Sequence, residues 1–358
     1  MKSIDVCFAL DNKYVVPCIV AIQSLCLSNC ASSIVNIYIL GGGGITDKNK
    51  HQIESVVACH ENATVYFVNV DDDGFKDFSN DTWGTAAAYR LRIGELLPHL
   101  DRILYLDSDI IVCKSVCELF SLDLGNNVIG MVPDIWCNKQ RRRFPSKRQT
   151  YFNSGVCLID LKKWRNLSIS DELFNYYSRN LDKCLYPDQD SINNVLDGRI
   201  LQLDCRYNFS YHWDKNECME SFGFCHVTEA VIVHFIFNKP WWSSCIHPYA
   251  YLYRDVAKTL PDFFKPQIRI VDYKLIDTVK IYICGIPFLK IFNYFSVKDC
   301  RLFGKIPLLK MKKKPGGVSE YLLFNIIPVV RMKSAQDSNS SDVNLVKNSI
   351  RYSSDYRV

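Results

Sequence analysis

RILYLDSDIIV, residues 102–112, is the stretch on which the reading of the fold turns. Two apolar runs, residues 103–106 and 110–112, flank Asp107-Ser108-Asp109. Short unbroken aliphatic and β-branched runs fit strands buried on both faces, as in a parallel sheet. A dry, unpaired carboxylate inside such a strand costs on the order of several kcal/mol. The strand is therefore predicted to end at Asp107, with both acids at the carboxyl edge of the sheet, where open α/β sheets bind ligands. Asp-x-Asp sets two hard oxygen donors one residue apart. A turn there can aim both at one divalent ion, and such an ion can hold a diphosphate. Alone, the motif reads as a strand-to-loop turn with solvated acids; its weight comes from the rest of the chain.

Upstream, residues 4–10 read as a first strand and residues 11–14 as a polar break. Residues 17–29 have helical spacing, with Ile19, Ile22, Leu25 and Cys26 on one face. Residues 34–40 form a second strand and 41–44 a loose glycine loop, which is neither a dinucleotide nor a Walker loop because no Gly-Lys-Ser/Thr follows. Thr46-Asp47 caps a helix through Ala58, and residues 63–70 form a third strand. This βαβαβ order predicts a doubly wound, mostly parallel sheet, so the fold class is α/β. Asp71-Asp72-Asp73-Gly74 lacks the spaced acids of a calcium loop and reads as a solvated turn.

Residues 85–97 read as a helix carrying Tyr89, Ile93 and Leu97 on one face, with Arg90 and Arg92 beside it. Downstream, residues 127–133 read as a strand and 140–148 as a basic surface loop. Residues 151–161 join a polar turn at Asn153-Ser154-Gly155 to a strand, and residues 162–180 are helical. A helix opens at Pro187-Asp188-Gln189-Asp190, short extended pieces follow at 201–203 and 207–211, and residues 230–235 form a strand ending near His234.

The chain of 358 residues allows one large domain with an appendage, and its 48% hydrophobic content suffices for a packed core. Its net charge of +5 is uneven: residues 263–333 hold 14 Lys/Arg against 4 Asp/Glu, leaving the remainder mildly acidic. The expected division is a large α/β domain over 1–262, a basic appendage over 263–333 and a disordered polar tail over 334–358. Within the appendage, Gly285-Ile286-Pro287-Phe288-Leu289-Lys290-Ile291 recurs around Pro307 and Pro328. Three such units can stack as a small repeat or lie against a lipid surface beside anionic headgroups.

The 16 cysteines contain no CxxC and lack zinc spacing, so they read as reduced, mostly buried thiols of a cytosolic protein, as at Cys7, Cys113 and Cys157. No N-terminal leader is expected, and no uncharged apolar run reaches the roughly 18 residues of a spanning helix.

The polar patches at the predicted strand ends suit a nucleotide-diphosphate-sugar. Two carboxylates and an imidazole suit Mn²⁺, with Mg²⁺ the alternative. In order, the motifs FALDNKY (8–14), YRLRIGELLPHLDRILYLDSDIIV (89–112), YFNSGVCLIDLKKW (151–164), PDQDSINN (187–194), RYNF (206–209) and HFIFNKPW (234–241) resemble glycosyltransferase family 8. These are the retaining GT-A enzymes that include bacterial lipopolysaccharide galactosyl- and glucosyltransferases.

The resemblance implies a hexosyltransferase of GT-A fold that moves galactose or glucose from a UDP-sugar to a hydroxyl of a growing glycan, free or lipid-linked. It further implies that Asp107, Asp109 and His234 bind the metal, and that Ala9, Asp11 and Tyr14 hold uracil. Arg90 would contact the nucleotide, Ser108 would lie within the donor site, Lys239 would meet the diphosphate, and Asn153, Gly155, Asp188 and Gln189 would surround the donor sugar. Asp188 and Gln189 are the candidate catalytic residues, although an amide is a poor nucleophile and Asp190 is chemically a better one.

The family pattern after the histidine is H-x-x-G-x-x-K-P-W. This chain has His234-Phe235-Ile236-Phe237-Asn238-Lys239, one residue shorter and without the glycine. Localisation is expected on the inner face of the cytoplasmic membrane. A nucleotidyltransferase would carry a glycine-rich basic N-terminal loop, which Asp11-Asn12-Lys13-Tyr14 is not. An inactive nucleotide-sugar-binding protein would have lost an acid or the histidine. Nucleic acid is not expected as a partner, since the appendage's aromatics form no stacking platform.

Overall fold

The structure of the protein, a computed structural model, describes residues 2–262 except 30–32, 43, 79–84, 141–149, 181–183, 212–225, 243–244 and 246. It also describes residue 264 and six strands between residues 275 and 333. It divides into two compact units, Met1–Val271 and Asp272–Val358.

The first unit opens with β1 (Lys2–Ala9), a 3-10 turn (Asn12–Tyr14), α1 (Val15–Asn29), β2 (Ser33–Gly42), α2 (Asp47–Val57) and β3 (Ala63–Val70). Two 3-10 stretches (Asp72–Phe78 and Thr85–Arg92) lead to α3 (Ile93–Leu96). There follow β4 (Arg102–Leu106), β5 (Ile110–Val112), α4 (Cys117–Phe120), β6 (Ile129–Pro133), α5 (Ile135–Gln140) and β7 (Phe152–Asp160). The unit continues through α6 (Leu161–Asn166), α7 (Ile169–Ser178), α8 (Pro187–Val195), β8 (Ile200–Gln202), β9 (Ile232–His234) and α9 (Ala250–Lys258).

The seven-stranded sheet runs β3-β2-β1-β4-β7-β6-β8. β3, β2, β1 and β4 are mutually parallel, β6 and β8 are parallel, and β7 lies antiparallel between β4 and β6. The alternation of strand residues splits the core in two. Ile4, Val6, Phe8, Leu104 and Leu106 pack on one side of the sheet with α1. Cys7, Ile103 and Tyr105 pack on the other with Trp164 and Leu173. Burial pushes the thiols of Cys7 and Cys157 far up and that of Cys113 up to about 11, so they remain protonated.

β4 stops at Leu106 as the acids demand, and the chain re-forms β5 in a separate two-stranded sheet with β9. That pairing sets Ile110 opposite His234 and so brings the histidine beside the Asp-Ser-Asp turn. Because β7 reverses direction, its N-terminal residues lie at the same edge as the C-terminal ends of β1, β4 and β6.

Local chemistry overrode the sequence pattern at several points. Asn153-Ser154-Gly155, expected as a turn, lies inside β7, where the register slips between Met131 and Val132 on β6. The predicted helix over 162–180 breaks into α6 and α7 at Ser168, whose φ of 50° is left-handed. Residues 85–92 of the predicted 85–97 helix wind as 3-10, Arg90 Nε bonding back to the Ala87 carbonyl at 2.9 Å. The expected extended piece at 207–211 begins instead as a 3-10 turn (Cys205–Asn208), because the Asp204 carboxylate accepts the Arg206 amide at 2.9 Å. Gly41 and Gly42 extend β2 rather than forming a loop. Thr46 caps α2 as expected, accepting the Asn49 amide. The basic stretch 141–148 and the tail 334–358 lie outside the described residues.

In the second unit, β10 (Leu275–Ile283), β11 (Ile286–Tyr294), β12 (Val297–Leu302), β13 (Ile306–Lys314), β14 (Val318–Leu323) and β15 (Ile327–Lys333) form an antiparallel meander. The three sequence repeats fall on alternate strands β11, β13 and β15. Lys290 stands opposite both Lys280 and Arg301, and Asp299 opposite Lys310. Lys312 stands opposite Glu320, which stands opposite Arg331. Paired residues share a sheet face, so these cations are placed on one face and Leu289, Ile291, Leu309, Met311 and Val330 on the other. A repeat's cation and its apolar neighbours therefore occupy opposite faces.

Candidate metal and sugar-nucleotide site

Asp107 follows β4, Asp109 precedes β5 and His234 ends β9. One ligand atom from each lies within 4.8 Å of the others. His234 Nε2 is 3.2 Å from Asp109 Oδ1 and 3.9 Å from Asp107 Oδ2. Two carboxylates and an imidazole form a donor set suited to a divalent cation.

The imidazole is oriented from behind. His234 Nδ1 lies 2.9 Å from Asn208 Oδ1, and Asn208 Nδ2 donates to Asn153 Oδ1 at 2.8 Å. With the Asn208 nitrogen committed to Asn153, its oxygen accepts from Nδ1–H, which leaves the Nε2 lone pair directed at the acids. Asn208→Ala is expected to weaken Mn²⁺ binding by roughly 10- to 100-fold with the fold retained, measured by Mn²⁺ titration in an electron paramagnetic resonance spectrometer.

Asp107 is held by two groups from the core. Arg90 Nη2 donates to its Oδ1 at 2.7 Å and the Tyr105 hydroxyl at 3.1 Å. Arg90 itself is buried, with its guanidinium carbon 4.3 Å from the centre of the Tyr105 ring and its Nη1 donating to the Ser154 carbonyl at 2.7 Å. Burial opposes its charge, yet Asp107 and then Asp188, whose Oδ2 is 3.3 Å from Nε, hold its pKa well above the ordinary arginine value. Arg90 thus ties the Asp-x-Asp turn to the helix carrying Asp188.

Asp109 is ion-paired with Lys239 Nζ, which also donates to the Phe235 carbonyl at 2.9 Å. Burial works against the Asp109 charge, but Lys239 and His234 hold the carboxyl far below the usual range. Lys239 therefore reaches the site even though the loop before it is one residue shorter than the family pattern.

The sugar-side candidates form one hydrogen-bonded group. Asn153 Nδ2 donates to Asp134 Oδ2 at 3.1 Å, and the Gln189 amide donates to the same oxygen at 3.3 Å. Gln189 Oε1 accepts the Ser154 amide at 2.9 Å, and the Ser154 hydroxyl donates to Asp188 Oδ2 at 3.0 Å. Asp190 is engaged elsewhere, accepting the Tyr151 hydroxyl at 2.7 Å and the Tyr186 amide at 2.9 Å. Gly155 lies against Asp107 and His234: a Cβ built on it would strike the His234 ring and come within 2.9 Å of Asp107 Oδ2.

At the β1 end, Ala9 closes the strand. Asp11 caps the 3-10 turn by accepting the amides of Lys13 at 2.9 Å and Tyr14 at 3.2 Å. Tyr14 is 40% exposed and meets Trp241 edge-on at 6.2 Å. Its hydroxyl is raised by burial and feels Lys239, Asp109 and Asp107, which puts it within electrostatic reach of the acids. Ser108 differs from its neighbours. Its hydroxyl is buried beside the Cys18 thiol, so it stands away from the exposed donors of the site.

Asp134, Ser154, Asn208 and Tyr105 belong to this arrangement but were not singled out from sequence. Asp134 carried a usable signal, an acid directly after an apolar strand. Asn208 lay within the RYNF motif, and Tyr105 looked like core because its ring is core.

A model of the family described as glycosyl transferase family 8 matches residues 5–245. The chain is 26% identical over 270 residues to a lipopolysaccharide 1,2-glucosyltransferase of Escherichia coli, covering 73% of this chain and 79% of that one. It is 24% identical over 271 residues to a lipopolysaccharide 1,3-galactosyltransferase of Salmonella typhimurium, covering 72% and 78%. The galactosyltransferase LgtC, crystallised with donor and acceptor sugar analogues, matches with a TM-score of 0.65 and 25% identity over 74% of this chain and all of that one. The central sheet matches the GT-A fold of LgtC.

Proposed function

The chain belongs to glycosyl transferase family 8 and is a hexosyltransferase, and from that premise we propose that it moves galactose or glucose from a UDP-sugar to a hydroxyl of a growing glycan, with retention at the anomeric carbon. The observation that carries this reading is the convergence of Asp107, Asp109 and His234 at the carboxyl edge of the sheet. Lipopolysaccharide core is the acceptor class favoured by the relatives' names.

Asp107, Asp109 and His234 are the proposed ligands of a divalent ion, with Mn²⁺ preferred over Mg²⁺ because one donor is an imidazole. When bound, such an ion neutralises charge developing on the departing diphosphate. Lys239 brings a further positive charge to the same end of the site. Arg90 and Tyr105 keep the Asp107 carboxylate from rotating away. Ala9, Asp11 and Tyr14 form the proposed end for the uracil ring, at the tip of β1. Asn153, Asp188 and Gln189, joined through Ser154 and Asp134, present the amides and carboxylates that orient sugar hydroxyls.

The anomeric centre then passes through an oxocarbenium-like state. Asp190 is committed to Tyr151 and Tyr186, and Gln189 is a neutral amide buried in its own bonds. Asp188 Oδ2 is shared by Arg90 and Ser154. These commitments favour front-face attack, in which the leaving phosphate oxygen takes the acceptor's proton. UDP release from UDP-galactose and UDP-glucose, with and without Mn²⁺, tests the reading. Release that requires Mn²⁺ supports it, and equal release after chelation contradicts it.

The second unit is proposed to hold the enzyme on the cytoplasmic membrane surface. Among the described residues no helix is long and apolar enough to cross a membrane. The excess of cations over residues 263–333 suits anionic headgroups, each cation near the surface contributing about 1 kcal/mol. Removing residues 272–358 is expected to shift the protein from membrane to soluble fractions at low salt. Unchanged association after the deletion counts against this role.

A further inference from the structure

The seven-stranded sheet ends in β3 on one side and in β8 on the other. A strand edge carries a row of amide and carbonyl groups ready to pair with another strand, and proteins guard such edges by shortness, charge, proline or bulges. β8 is three residues long and so protects itself. β3 is eight residues long, Ala63–Val70, and has none of these devices. Its sequence, ATVYFVNV, holds no charged residue, no proline and no glycine. Its register with β2 runs unbroken from Val35 opposite Ala63 to Gly42 opposite Val70. Among the described residues no strand pairs with its other side.

Side chains on both faces of β3 carry apolar surface up to that edge. Ala63, Val65 and Phe67 alternate along one face and pack, half-buried, against the core around α1. Tyr66 lies on the opposite face, where it stands directly across from Tyr38 of β2. The two rings stack, with centroids 5.1 Å apart and planes at 19°. Tyr38 is buried, whereas Tyr66 is 45% exposed. Thr64 and Asn69 are exposed as well, and Val68 packs half-buried against the second core.

Two antiparallel strands related by a two-fold axis must centre on one residue, because residues that face each other share a sheet face. Centring on Tyr66 sets Tyr66 against its own copy, Thr64 against Val68 and Val65 against Phe67. Tyr38 and Tyr66 then continue into a row of four rings across the join. Val65 and Phe67 cover one another twice, on the face of the α1 core. Aromatic pairs and aromatic–β-branched pairs are among the favourable cross-strand contacts. Centring on Phe67 instead sets Val65 against the Asn69 amide, a poorer match. An eight-residue edge supplies about eight ladder hydrogen bonds, against roughly ten in a standard interface. Only beyond the strand ends do like charges meet, exposed Glu61 against exposed Asp71, where salt screens them.

We propose that β3 is a self-association edge: two copies of this chain join β3 to β3, antiparallel about Tyr66, and their seven-stranded sheets fuse into one. The occupant is a second copy because the strand, read in reverse, complements itself on both faces. β2 stands between the join and β1, at whose tip the sugar-nucleotide site begins, so the pairing is independent of sugar transfer.

The test uses full-length wild type, Tyr66→Lys, Thr64→Lys and Tyr66→Phe, each checked for folding by circular dichroism. Mass is followed by sedimentation equilibrium up to about 100 μM chain, and amide hydrogen exchange is read on the same samples. Wild type is expected to form a dimer with a dissociation constant on the order of 10 μM or tighter. Tyr66→Lys sets two cations face to face across the axis, and Thr64→Lys sets a cation against Val68. Each is expected to raise the dissociation constant at least about tenfold, and Tyr66→Phe by less than about threefold. Amides within residues 63–70 of wild type should exchange more slowly as concentration rises, and those of folded lysine variants should not. Added sodium chloride should tighten the wild-type dimer. A wild type that stays monomeric over the whole range overturns the proposal, as does a dimer equally stable in both folded lysine variants. Concentration-dependent protection that falls outside β3 overturns it too, as do assemblies larger than two, since one pairing uses up the edge. A dimer that salt loosens contradicts the register about Tyr66.

Discussion

Asp107→Asn is expected to lower sugar transfer at least about a hundredfold while leaving the chain folded. Asparagine keeps the shape of the side chain and an oxygen able to accept from Arg90 and the Tyr105 hydroxyl, which lie 2.7 and 3.1 Å from Oδ1. What it removes is the charge that would face the cation. The companion cost falls on Arg90, a buried guanidinium left with Asp188 as its nearest ion-pair partner at 3.3 Å. Some loss of thermal stability should therefore accompany the loss of rate, because a buried charge deprived of a partner is destabilising. Steady-state UDP release, with circular dichroism of the same sample, separates the two effects. A folded Asp107→Asn enzyme working at the wild-type rate would remove Asp107 from the mechanism.

Gly155→Ala should be nearly as damaging although it adds a single methyl group. The new Cβ would strike the His234 ring, fall 2.8 Å from Nδ1 and reach within 2.9 Å of Asp107 Oδ2. Neither neighbour can retreat freely. The imidazole is fixed through Nδ1 to Asn208, and the carboxylate is fixed by Arg90 and Tyr105. The strand cannot withdraw either, since the Gly155 carbonyl accepts the Asp107 amide at 2.8 Å. The expected outcome is loss of Mn²⁺ affinity together with a drop in turnover of about a hundredfold.

Gly130→Ala is the matched control. Its Cβ would meet the branched tips of Leu203 and Leu124 at 3.0 and 3.1 Å, a packing conflict far from the acids. That variant should lose stability and keep its metal affinity. Wild-type metal binding by Gly155→Ala would show that the close approach of β7 to the metal acids is incidental.

Much of this was readable before the structure. The Asp-x-Asp turn had to leave the sheet because dry carboxylates are costly, and β4 does end at Leu106. β1, α1, β2, α2 and β3 lie where periodicity and the Thr46 cap put them. The sequence could not reveal the antiparallel β7, because a doubly covered strand looks apolar in either direction. It also gave no warning of Ser168, whose left-handed backbone divides one predicted helix into two.

Within the site, residues carrying charge or an imidazole stood out, and the residues that orient them did not. Asn208, Ser154 and Tyr105 act through hydrogen bonds whose partners are distant in sequence. Gly155 was read as a sugar contact; that its lack of a side chain also admits His234 and Asp107 together needed the structure. The repeat of the second unit was visible as a period of about 20 residues. That its units fall on alternate strands of an antiparallel meander needed the structure.

The central claim is that one divalent ion is gripped by three side chains brought together from β4, β5 and β9. Binding of Mn²⁺ to the full chain in the presence of UDP, followed by electron paramagnetic resonance, tests it most directly. The expected result is a single saturable site in wild type, weakened at least about tenfold in Asp109→Asn and in His234→Ala. Undiminished Mn²⁺ binding in both variants would contradict it.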